Sequence, residues 1–185
     1  MKKLHNTKNG TVNLSPPSLL ALGFLALIIL GTLLLKLPFA HHGELSWLNA
    51  VFTSTSAVTI TGLSVVNVGE AYTVFGKLVI MFLLQCGGLG FMSFAILAVM
   101  SLSPQLGLKQ QIMAQETIGQ TSLKKVTFTI KGVFLYSLFF EAVGTVILTI
   151  AWLQDYDFSK AFFYAAFYSI SAFNNGGFSL FPNSL

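Results

Sequence analysis

The chain has 185 residues, 54% of them apolar and only 9% charged, with a mean hydropathy of +0.76. A soluble domain carries about a quarter charged residues, so most of this surface meets lipid rather than water, and a soluble globular domain is excluded. The formal net charge of +4 comes from lysines alone; no basic run is interleaved with aromatics, so nucleic acid is not the partner.

Residues 1–17 read as a cytoplasmic N-terminus carrying Lys2, Lys3 and Lys8. After Pro16-Pro17, a natural helix start, a first apolar span runs over Ser18–Leu37, too long for a signal-peptide core and without a convincing cleavage site after it. His41 and His42, with only Glu44 nearby, read as a solvated outer loop rather than a metal site. Trp47–Val58 is apolar but only about a dozen residues long, the length of a re-entrant or interfacial segment, and it runs into Thr59-Ile60-Thr61-Gly62-Leu63.

A second span covers Val74–Leu102 and stops near Pro104. Its single cysteine, Cys86, reads as a small buried residue. Gly87, Gly88 and Gly90 lack the Lys-Ser/Thr of a phosphate loop and read as small residues that let a short helix approach closely. Residues 103–125, with Lys109, Lys124 and Lys125, form a cytoplasmic loop. A third span, Val126–Leu153, carries Glu141 near its middle. An ionisable group there is functional by default, but Glu141 lies on neither candidate loop and reads as a packing or assembly contact. After Gln154-Asp155-Tyr156-Asp157, a second short apolar stretch, Lys160–Phe173, runs into Asn174-Asn175-Gly176-Gly177-Phe178.

Lysine placement orients the chain in the cell membrane with its N-terminus inside. Both short segments then enter from the outer side. Lys36, Lys77 and Lys160 fall on that side at helix ends, where snorkelling is cheap.

The two short segments repeat. Leu48–Leu63 lies over Phe163–Phe178 without a gap, 115 residues apart (Gly62 to Gly177), with six of sixteen positions identical: Ala50/Ala165, Phe52/Phe167, Ser54/Ser169, Ser56/Ser171, Ala57/Ala172 and Gly62/Gly177. A short helix followed by irregular backbone at membrane depth is tolerated only where it is buried or lines a watery cavity, which points to a pore. Backbone carbonyls can replace the hydration shell of a monovalent cation, and glycine admits the conformations that turn them inward. Thr59, Ile60, Thr61, Gly62 and Leu63, with Asn174, Asn175, Gly176, Gly177 and Phe178, are therefore the candidate ion-binding residues, acting through their backbone. The helices before them aim partially negative C-terminal ends at the cavity. The hydroxyl face Thr53, Ser54 and Ser56 is expected to hydrogen-bond the extended strand behind it. An enzyme is not expected: intramembrane hydrolases need a nucleophile and base on facing helices, and the spans offer Ser93 and Cys86 but no histidine or aspartate. A membrane-embedded hydrolase is the remote alternative.

Thr53–Leu63, Gln85-Cys-Gly-Gly-Leu-Gly-Phe-Met92 and Ser169–Phe178 together resemble the Trk/Ktr/HKT superfamily of potassium transporters, most closely its bacterial KtrB type. The resemblance implies an all-α integral membrane fold of four helix–pore loop–helix repeats around a pseudo-fourfold pore, with one filter glycine per repeat; Gly62 and Gly177 match the first two. Sodium-favouring members typically carry serine at the first, so Gly62 leans toward potassium. The resemblance further implies a homodimer, a cytoplasmic nucleotide-binding (KtrA-like) ring, potassium as substrate, sodium as a coupling ion in some members, and no organic cofactor. Residues 18–102 supply one repeat and 126–185 most of a second, lacking its second membrane helix. The chain is thus expected not to close a pore alone, and a non-conducting fragment or scaffold is the alternative.

Overall fold

The computed structural model describes residues 16–90 and 123–181. Their order is α1 (Pro16–Leu35), α2 (Trp47–Val58), α3 (Val68–Ala71), α4 (Val74–Gly88), α5 (Leu123–Trp152) and α6 (Phe158–Phe173). No strand occurs among the described residues; one isolated antiparallel bridge joins His41 to Tyr72.

Helix starts follow local chemistry. The side chains of Ser46, Thr73 and Asp157 accept from the backbone N–H groups of Asn49, Gly76 and Lys160, so each satisfies an orphan donor of the first turn. Asp157 starts α6 two residues ahead of the Lys160 boundary expected from hydropathy. Within α5, Lys131–Trp152 is long and apolar enough to cross a bilayer; Ala21–Leu35 and Val74–Gly88 are shorter apolar helices. The helix from Val74 ends at Gly88, well before Leu102, and Gly90 follows in the left-handed region at φ +78°. The remainder of that expected span, and the expected cytoplasmic loop up to residue 122, lie outside the described residues.

In the core, α2 packs between α1 and α4, while α6 packs on α5 and also meets α4. Leu35, Val58, Tyr72, Ile80, Leu83 and Phe167 are fully buried there. Opposite, α5 turns Leu135, Tyr136, Phe139, Val146 and Ile150 outward, an apolar face suited to lipid or a neighbouring helix.

The pairs α1/α2 and α5/α6 are joined alike. Ser54 Oγ donates to the Ile28 carbonyl at 2.8 Å, and Ser169 Oγ to the Glu141 carbonyl at 2.7 Å. Each carbonyl also accepts from a threonine one turn on, Thr32 or Thr145, at 2.7 Å. Gly31 and Gly144 admit the serines, because a Cβ at either would press on the serine hydroxyl. The long helices thus correspond at a spacing of 113 residues (Ile28 to Glu141), a second recurrence beside the 115-residue spacing of the short helices.

On the expected outer side, each lysine finds a partner. Lys36 Nζ donates to the Leu45 carbonyl and sits 5.3 Å from the Trp47 ring centroid, and Lys77 Nζ donates to the Gly69 carbonyl at 2.7 Å. Lys160 Nζ lies 4.6 Å from the Tyr156 ring centroid. His41 turns its Nδ1 to the Gly43 carbonyl at 2.9 Å.

Candidate ion-binding site

Helices α2 and α6 end in the same turn. Thr59 (φ −88°, ψ 2°) and Asn174 (φ −80°, ψ 4°) close them. Ile60 at φ +57° and Asn175 at φ +56° then enter the left-handed region. The next N–H groups reach back to the helix: Thr61 N donates to Ser56 O at 2.9 Å, and Gly176 N to Ser171 O at 2.6 Å. This six-to-one closure satisfies the last helical carbonyls. Asparagine adopts that conformation readily, but a β-branched isoleucine there is an outlier, so strain is stored in the first loop at Ile60. Two residues beyond Ile60 and Asn175, Gly62 (φ +76°) and Gly177 (φ +68°) take a second left-handed step.

These glycines bring the loops into backbone contact. A Cβ on Gly62 would run into the Gly176 carbonyl oxygen and meet Gly177 Cα at 3.1 Å, and a Cβ on Gly177 would lie 3.5 Å from Gly62 Cα. Beside this contact opens a cavity of about 420 Å3, lined by residues 62–68 on one side and by Gly177, Phe178, Ser179 and Phe181 on the other. Of the ten residues singled out in the sequence, Gly62, Leu63, Gly177 and Phe178 line it. Thr59, Ile60, Thr61, Asn174, Asn175 and Gly176 do not; they form the turns that deliver the glycines to it.

The segments after the glycines are held differently. Phe178 is 3% exposed, with its N–H donating to Ser171 Oγ at 3.0 Å and its carbonyl accepting from that hydroxyl at 3.1 Å. Tyr168 Oη accepts from Leu180 N at 2.9 Å and Phe181 N at 3.2 Å. In the first loop, Leu63 is 60% exposed, and the buried Ser56 hydroxyl, equivalent to Ser171, has no hydrogen-bond partner among the described residues.

The expectation that Thr53, Ser54 and Ser56 bond the strand behind them is therefore corrected. Successive helical residues point about 100° apart, so Ser54 faces α1 and Thr53 faces Tyr72, which donates its hydroxyl at 3.0 Å. Only the backbone carbonyl of Ser56 reaches the strand. Burial pushes the Tyr72 phenol above its ordinary pKa, opposed by the bond to Thr53, so it stays a protonated donor at neutral pH.

Two side chains outside the loops join the site. Gln85 on α4 and Glu141 on α5 both bond the Asn174 side chain, at 2.9 and 3.4 Å. The expectation that Gly87 and Gly88 admit a short helix extends to both: a Cβ on Gly87 would enter the Val58 carbonyl at the end of α2, and one on Gly88 the Asn174 side chain at the end of α6.

A family model described as a cation transport protein, TrkH, matches residues 18–185. The chain is 47% identical over 174 residues to Ktr system potassium uptake protein B of Bacillus subtilis and 38% identical over 169 residues to the protein of that name in Vibrio alginolyticus. It is 33% identical over 174 residues to potassium/sodium uptake protein NtpJ of Enterococcus hirae. These alignments cover 94%, 91% and 93% of this chain but 39%, 37% and 39% of the relatives, so the chain spans about two-fifths of their length. The relatives are transporters and not enzymes. The chain belongs to the TrkH cation transport family, within which it is KtrB-like.

Proposed function

We propose that this chain contributes the first helix–pore loop–helix unit of a potassium uptake subunit and most of the second, and that Thr59–Leu63 and Asn174–Phe178 form two strands of its selectivity filter. The observation that carries the reading is the pairing of Gly62 with Gly177: the same left-handed step, at the end of the same turn, with the two backbones touching beside a cavity. Backbone oxygens there would replace water around a bare monovalent cation without placing a fixed charge in its path. The C-terminal ends of α2 and α6 add a partial negative potential. Relatives named for potassium uptake support the choice of ion, and glycine at position 62 is the potassium-favouring residue under the family resemblance. Sodium enters as a coupling ion, a reading encouraged by the relative named for potassium/sodium uptake.

The complete subunit sits in the cell membrane with its N-terminus inside. It works as a homodimer on a cytoplasmic nucleotide-binding ring, consistent with relatives named as parts of a Ktr system. The test is expression of the complete subunit, with and without such a ring, in a host lacking potassium uptake. Growth on limiting potassium and rubidium influx are expected; a subunit present in the membrane that restores neither would contradict the reading.

A further inference from the structure

Backbone atoms carry the filter, and the buried acid Glu141 takes no part in it. Glu141 is 5% exposed in the middle of α5. No cation pairs with it among the described residues; its carboxylate is held by neutral donors. Ser137 Oγ donates to Oε1 at 2.8 Å and Gln85 Nε2 to Oε2 at 3.2 Å. Asn174 Nδ2 approaches Oε1 at 3.4 Å and also donates to Gln85 Oε1 at 2.9 Å and to the Ile170 carbonyl at 3.0 Å. With the Ile170 carbonyl and a Glu141 oxygen beside it, that atom of Asn174 is the amide nitrogen, which in turn orients Gln85 with its own NH2 toward Ser137 and Glu141. The chain Asn174 to Gln85 to Glu141 therefore runs donor to acceptor in one direction and ends on the Glu141 carboxyl oxygens.

The first unit has no such chain. Ile28 stands where Glu141 stands, and Thr59 where Asn174 does. Thr59 Oγ1 turns to its own helix and loop, bonding the Thr55 carbonyl at 2.8 Å and Thr61 Oγ1 at 2.7 Å. Asn174 instead turns across the junction between the two units, into space that Gly88 leaves open. It is 7% exposed and immediately precedes Asn175 and the Gly176-Gly177 step. Fixing its side chain fixes where the second loop leaves its helix, relative to α4 of the first unit.

We infer that Glu141, with Gln85, is a positioning residue for ion selectivity, setting the spacing between the first and second filter strands through the Asn174 side chain. The inference rests on the filter reading above. Glu141 touches no ion; it acts by presenting acceptors in an order that only one arrangement of the junction satisfies. A glutamine at 141 places an N–H against the Gln85 amide, and no flip of either amide satisfies every donor. Exchanging the two residues, Gln85→Glu with Glu141→Gln, does satisfy them. Asn174 and the amide now on α5 both donate to the carboxylate now on α4, and Ser137 donates to the carbonyl oxygen of that α5 amide.

The test uses the complete subunit and measures potassium uptake against concentration, with and without competing sodium, alongside membrane abundance. Glu141→Gln should accumulate normally and lose about tenfold in potassium-over-sodium preference, the size expected when one buried hydrogen-bonding group is left unsatisfied. The exchanged pair should recover most of that preference. Lower abundance with unchanged preference in Glu141→Gln would overturn the inference and leave a packing role. Losses in the exchanged pair that simply add, in preference or in abundance, would overturn it too. A Gly62→Asp arm separates the two levels. Uptake surviving in that variant sinks the filter reading itself, whereas its loss beside an unaffected Glu141→Gln sinks only the positioning role.

Discussion

Gly62→Asp in the complete subunit should abolish potassium-dependent growth while leaving the protein in the membrane. Two effects combine. Gly62 sits at φ +76°, where a residue with a Cβ is strained by roughly 1–2 kcal/mol. The Cβ would also enter the Gly176 carbonyl, and that atom belongs to the facing backbone, so neither loop can yield without moving the other. A carboxylate beyond that Cβ adds a fixed negative charge among carbonyl oxygens, where it either repels them or binds a cation too tightly to release it. Gly62→Ala isolates the steric part and should cut uptake by about tenfold. Gly62→Ser, with the same Cβ and a hydroxyl that can stand in for a displaced oxygen, should lose potassium preference more than total flux. Rubidium influx normalised to membrane abundance distinguishes the three.

Gly87→Val should be the most damaging substitution for folding. A Cβ there would lie inside contact distance of the Val58 carbonyl, and 3.3 Å from that of Ala57. Both belong to the last turn of α2, whose other side rests on α1 through Ser54. With no flexible side chain to move aside, α4 must back away, opening the core around Leu83 and Leu84. Overpacking of this kind costs about 3 kcal/mol or more. The expected result is a large loss of monodisperse protein on detergent extraction and a markedly lower unfolding temperature. Gly132→Ala should be silent by comparison, since nothing lies within 4 Å of its Cβ position.

Much of this is legible in the residues, and what is not has physical reasons. Hydropathy and the break at Thr59 delimit α2 at the observed Trp47–Val58, because apolar run, cap and turn coincide there. The 115-residue recurrence is visible because the short helices use their side chains alike: Ser54 and Ser169 are the same residue doing the same thing. The 113-residue recurrence of the long helices is hidden because the equivalent positions Ile28 and Glu141 contribute backbone carbonyls, which any residue supplies. Gly31/Gly144 and Thr32/Thr145 mark it in the sequence beside three leucine matches of the kind any two apolar helices share, too little to stand out. Glu141 is legible as buried and as a contact residue. Its tie to Asn174 is not, since Gln85 and Asn174 lie 56 and 33 residues away and meet it only after α4, α5 and α6 have packed. The hydroxyls of α2 read in sequence as one strand-facing group, although their angular spread around the helix sends each to a different neighbour.

Passage of a cation between backbone oxygens of the two loops is tested most directly by locating the ion in the complete subunit, through anomalous scattering from thallium or rubidium substituted for potassium. Density within coordination distance of backbone oxygens of both Thr59–Leu63 and Asn174–Phe178, displaced by excess potassium and absent in Gly62→Asp, is the predicted result. Ion density confined to side chains elsewhere in the membrane region, with both loops empty in a subunit that still transports potassium, would contradict it.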